Sequence, residues 1–97
     1  MNKYERLKNE LVTVGTGKMK CFGNSMMPII KSGSLLTFQK QEYYEVGDIV
    51  FCCVSGRTID AHLITKTDSN KGYLISNNHH RDNGWTHTIY GKVIRIE

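Results

Sequence analysis

Ser25 is the residue around which chemistry is most readily built. It lies in Cys21-Phe22-Gly23-Asn24-Ser25-Met26-Met27-Pro28, a polar Gly-Asn-Ser centre between an apolar approach and the one proline of the chain. Gly23 can take backbone angles that other residues resist. Pro28 fixes its own φ and biases Met27 away from the helical region. These constraints predict a shaped connection rather than a regular element, a suitable place to hold a hydroxyl for attack on a carbonyl. Such attack also needs a base, a group that orients the base, and donors for the oxyanion. Serine is a common turn residue as well, so the rest of the chain must supply the base.

Four histidines are available: His62, His79, His80 and His87. Histidine titrates near neutral pH and is the natural base. His62 falls in the strand pattern Thr58-Ile59-Asp60-Ala61-His62-Leu63-Ile64-Thr65-Lys66, after an apolar hairpin. A strand holds a catalytic group more rigidly than a loop does, although a histidine on a solvated strand face has the same pattern. Lys66, four residues on and on the same face, is a competing base if burial lowers its pKa.

His79, His80 and His87, with Cys21, Cys52 and Cys53, raise the question of a metal. The spacing matches no compact zinc site and contains no Cys-x-x-Cys, so no metal or cofactor is expected. Trp85 and Tyr90 read as core aromatics. Met26 and Met27 read as adaptable fillers of irregular gaps.

The length of 97 residues predicts one domain, 1–97, with residues 1–14 as an N-terminal helical extension. The net charge of +4 is scattered, and its only compact grouping, Lys18 with Lys20, is too short for a nucleic-acid patch, so no nucleic-acid partner is expected. Adjacent Cys52 and Cys53 would point to opposite faces of a strand. That argues against a disulfide framework and for a reducing compartment. With no apolar run long enough to cross a bilayer and no signal-peptide pattern, the expectation is a cytoplasmic protein without a membrane anchor.

These residues must be positioned by the elements that the pattern predicts. Tyr4, Leu7 and Leu11 recur at helical spacing over residues 2–12. Val12 to Val14 then turn toward extended structure, and Gly15 and Gly17 make a loop. Strands are expected at 19–22, 35–38, 49–54, 58–66, 73–76 and 89–96, with a hairpin turn at Ser55-Gly56-Arg57. Residues 77–84 read as a polar loop able to line a site, and 85–88 are ambiguous. One helix and several short strands predict a mainly β fold: a small, curled, mixed β-sheet or barrel-like domain with a short N-terminal helix.

Several stretches, in order, resemble the S24/S26 serine peptidase superfamily of LexA-like proteins and signal peptidases. They are Gly23-Asn24-Ser25-Met26-Met27-Pro28, which fits Ser-Met-x-Pro, then Gly47-Asp48-Ile49-Val50, Ala61-His62-Leu63-Ile64, Ser76-Asn77-Asn78 with Asp82, and Tyr90-Gly91-Lys92-Val93. The resemblance covers roughly residues 20–96. It is closest to the Ser-His signal peptidases of archaea and the endoplasmic reticulum, with Leu63 where Arg is usual and Ser76 where the first of two Asp is usual.

The resemblance implies a hydrolase, a serine endopeptidase in which Ser25 is the nucleophile, His62 the base and Asp82 the acid that orients it. Asp60 and Asp68 are alternative acids. It implies the Ser25 amide as oxyanion donor, with an extended peptide or protein substrate in a groove near Ser25. Ile29, Ile30 and the strand from Leu35 would help line that groove, with His79 and His80 on its rim. The departure at Ser76 and the small size imply an alternative. This is a domain that has lost the chemistry and keeps the groove as a peptide- or protein-binding module, of phage or mobile-element origin.

Overall fold

A computed structural model describes residues 1–97. Helix α1 (Lys3–Thr13) forms where the apolar spacing predicts it, and Asn2 caps it by accepting the Glu5 amide at 2.9 Å. The helix continues past the expected break at Val12. Val14 keeps helical angles because its N–H still reaches the Glu10 carbonyl at 2.8 Å.

Seven strands follow: β1 (Thr16–Cys21), β2 (Ser34–Gln39), β3 (Ile49–Val54), β4 (Arg57–Asp68), β5 (Gly72–Ser76), β6 (Asp82–Thr86) and β7 (Ile89–Ile96). Gly17, expected in a loop, lies inside β1 for a packing reason. A Cβ there would sit 2.7 Å from Leu7 Cδ1, so a side chain would push α1 off the sheet. The polar loop is shorter than expected, residues 77–81; of the ambiguous stretch, Trp85 and Thr86 belong to β6, and His87 and Thr88 connect it to β7.

The strands lie in the order β1-β2-β7-β3-β4-β5-β6, and every neighbouring pair is antiparallel. This corrects the expectation of a curled, mixed, barrel-like domain. The fold is an α/β arrangement of one helix on an open antiparallel sheet. Closure would require the two end strands, β1 and β6, to pair with each other, and they do not. The apolar face that a barrel would enclose is covered instead by α1. Leu7 and Leu11 are buried there with Met19, Cys21, Leu36, Phe38 and Phe51. Burying each leucine contributes roughly 1.5–3 kcal/mol, so the helix supplies much of what closure would have supplied. The opposite face carries a second cluster around Val50, Cys52, Val54, Ile59, Ile64 and Ile75. β3 is thus buried on both sides, and it places the strand carrying His62 against a rigid neighbour.

Candidate active site

Ser25 lies on the connection between β1 and β2. The connection is anchored from below by Met26 and Ile30, both 4% exposed and packed with Ala61 in the helix-side core. It is closed at its base by two hydrogen bonds, Gly33 N–H to Cys21 O at 2.8 Å and Gly23 N–H to Ser32 Oγ at 3.0 Å. Gly23 has φ +111, which accounts for a glycine at the start of the turn.

His62 comes from β4, and a bulge sets its direction. Between the pairs Cys52↔Ile59 and Val50↔His62, β3 advances two residues and β4 three. The extra residue shifts the alternation of β4, so that Ile59 and Ala61, of equal parity, fall in opposite cores. The His62 ring meets the serine: Ser25 Oγ and His62 Nε2 are 3.0 Å apart.

The other ring nitrogen, Nδ1, is 2.8 Å from Asn83 Oδ1. Asn83 is itself the extra residue of a second bulge. Between Ile75↔Gly84 and Ser76↔Asp82, β5 advances one residue and β6 two. Gly84, at φ +130, permits that backbone.

Asp82, the acid implied by the resemblance, is placed elsewhere. Its carboxylate accepts the Ser76 hydroxyl at 2.5 Å, directly across the β5–β6 pair. Ser76 is 1% exposed, and its oxygen is also 3.2 Å from Thr65 Oγ1. The structure therefore brings Ser25 and His62 together and sets Asn83, not Asp82, against the imidazole. The bulge moves the contact by one position, and only the Asn-Gly step at Asn83-Gly84 hints at it in the sequence.

None of the alternatives is hydrogen-bonded to Ser25 or His62, whose side chains meet each other and Asn83. Lys66 lines a different cavity, with Ser76, His80 and Asp82. Asp68 caps the β4–β5 turn by accepting the Asn70 and Lys71 amides, each at 2.8 Å, and these bonds hold its carboxyl below the usual carboxylate range. Asp60 lines a cavity of about 20 Å³ beside Ser25, together with Cys21, Met26, Ile30 and Ala61. Burial first, and then the nearby Asp60 carboxylate, push the Cys21 thiol up to about 12. Ile30 belongs to this cavity, whereas Ile29 is exposed and Leu35 is paired to Glu97.

The loop after β5 grips the nucleophile turn. Asn78 N–H donates to Ser25 O at 2.8 Å, Asn78 Nδ2 to Met27 O at 3.0 Å, and His79 Nε2 lies 3.0 Å from Asn24 O. No helix is long and apolar enough to cross a membrane.

A hydroxyl held against an imidazole whose second nitrogen is oriented is the arrangement of serine hydrolysis. Comparison with curated proteins finds no match. Comparison with family models does: the Peptidase S24-like model matches residues 2–94. That span takes in α1, the serine turn, His62 and Asn83, and the chain belongs to the Peptidase S24-like family.

Proposed function

We propose that this protein is a serine endopeptidase in which Ser25 attacks a peptide carbonyl, His62 takes the serine proton, and Asn83 orients His62. The observation that carries the reading is the continuous Ser25–His62–Asn83 relay, at 3.0 and 2.8 Å. With Asn83 presenting its carbonyl oxygen, Nδ1–H donates to it, and the Nε2 lone pair accepts the Ser25 O–H. Attack by Oγ on the carbonyl carbon passes the hydroxyl proton to Nε2. The same proton goes to the leaving amine as the C–N bond breaks. Water, activated by His62 in turn, then releases the acyl group. The Ser25 N–H makes no hydrogen bond within the chain, which suits it to hold the oxyanion.

The pairing of serine with histidine, rather than lysine, supports a likeness to the Ser-His signal peptidases. The cavity of about 20 Å³ beside Ser25 fits a small side chain next to the cut, in an extended peptide laid along the site.

A second reading rests on Asn83 being neutral. An amide oxygen stabilises the imidazolium less than a carboxylate would, which favours a peptide-binding module with a residual site. Fluorophosphonate labelling followed by intact mass separates the two. An adduct on Ser25 that is lost in both Ser25→Ala and His62→Ala supports the endopeptidase. A folded wild type that takes up no label between pH 6 and pH 9, a range of about three units around the histidine region, rejects it.

A further inference from the structure

We propose that His79 is a positioning residue for the oxyanion site, acting through the Asn24–Ser25 peptide unit. The inference rests on Ser25 being the nucleophile, as proposed above. It begins from covalent geometry: the Asn24 carbonyl and the Ser25 N–H belong to one planar trans peptide and point in opposite directions. Whatever holds the carbonyl aims the N–H.

The Asn24 oxygen has two donors. One is the Met27 amide at 3.2 Å, part of the local turn. The other is His79 Nε2 at 3.0 Å, reaching in from 55 residues along the chain. To donate, Nε2 carries the ring proton. Hydrogen bonds in series polarise one another, so a carbonyl with two donors makes its N–H a stronger donor at the other end. The transition state develops its negative charge where that N–H points.

His79 is itself set in place. Asn77 Oδ1 accepts the amides of His79 at 2.8 Å and Arg81 at 3.0 Å, and Asn77 N–H donates to Arg81 O at 3.0 Å. Asn78 holds the carbonyls of Ser25 and Met27, so His79 completes a grip on the turn whose distinctive part is the peptide just before the nucleophile.

The test compares His79→Phe, which keeps a ring and loses the donor, with His79→Gln, which keeps a donor. Two quantities are read in the folded proteins: the rate of fluorophosphonate labelling at Ser25, and the ¹⁵N–¹H resonance of the Ser25 amide. The Phe variant is expected to label about three- to tenfold more slowly, the scale of one net hydrogen bond. Its Ser25 amide resonance shifts, and the Gln variant restores both. With a peptide substrate, the loss falls on kcat and not on KM. A Phe variant that labels at the wild-type rate with an unmoved Ser25 amide overturns the role of His79 while leaving Ser25 as nucleophile. A wild type that never labels overturns the parent reading, and the oxyanion role of His79 with it.

Discussion

His62 Nδ1 and Asn83 Oδ1 lie 2.8 Å apart, across two strands that are not neighbours in the sheet. The contact depends on two bulges, one turning His62 in β4 and one inserting Asn83 into β6. It makes a neutral amide, not a carboxylate, the partner of the imidazole.

Asn83→Ala removes the acceptor that fixes the ring, and kcat is expected to fall about tenfold to a hundredfold, less than the roughly hundredfold to ten-thousandfold of general acid–base catalysis because the base itself remains. Asn83→Asp should retain the orientation and add a negative charge. That charge favours the protonated ring, so the base form is reached only at higher pH, and the acid limb of the rate–pH profile moves upward. Rate–pH profiles of the three proteins check this. A Asn83→Asp limb that stays in place would show that residue 83 does not contact the ring.

Asp82→Asn and Ser76→Ala test whether the neighbouring pair serves the fold. Losing the charge-assisted bond between Ser76 and Asp82 is expected to cost about 1–3 kcal/mol in urea unfolding. kcat should stay within about twofold of wild type, since Asn83 still holds His62. A loss of kcat in Asp82→Asn as large as in Asn83→Ala would return the orienting role to the carboxylate.

Gly17→Ala places a Cβ 2.7 Å from Leu7 Cδ1 and 3.2 Å from Glu10 Cβ. Leu7 is 0% exposed, so it has little room to move. Overpacking of this kind costs about 1–3 kcal/mol, and Leu11→Ala, which leaves a cavity in the same seam, about 2–5 kcal/mol. Chemical denaturation of both variants measures the anchoring of α1 on β1 and β7. Wild-type stability in Gly17→Ala would mean that the helix shifts freely.

Burial pushes the thiols of Cys21 and Cys52 from 9.0 up to about 12. Their protons are held more tightly in the folded chain than in the unfolded one. The stability this contributes is complete below pH 9 and is lost as pH rises toward 12. Alkaline unfolding monitored by circular dichroism is expected to begin in that window, and Cys21→Ser with Cys52→Ala to change its course. At neutral pH both thiols should resist iodoacetamide until the protein unfolds.

Much of the fold could be read from the order of residues because its signals are local. Tyr4, Leu7 and Leu11 mark a helix wherever the chain goes, and Ile49 to Val54 mark a strong strand. The hairpin at Ser55-Gly56 follows from its turn residues, and both take positive φ, 50 and 78. The openness of the sheet was not legible in this way. Whether the end strands meet depends on what covers the apolar face, and here α1 covers it.

The site divides along the same line. The sequence by itself determined the chemistry on offer, a serine on a glycine–proline-shaped turn and a histidine on a strand, because side-chain types are written residue by residue. Only the tertiary structure decided which groups meet. In a strand, one inserted residue reverses every side chain beyond it, and the insertion is defined only against the partner strand. That is why Asp82 faces Ser76 while Asn83, one residue later, faces His62.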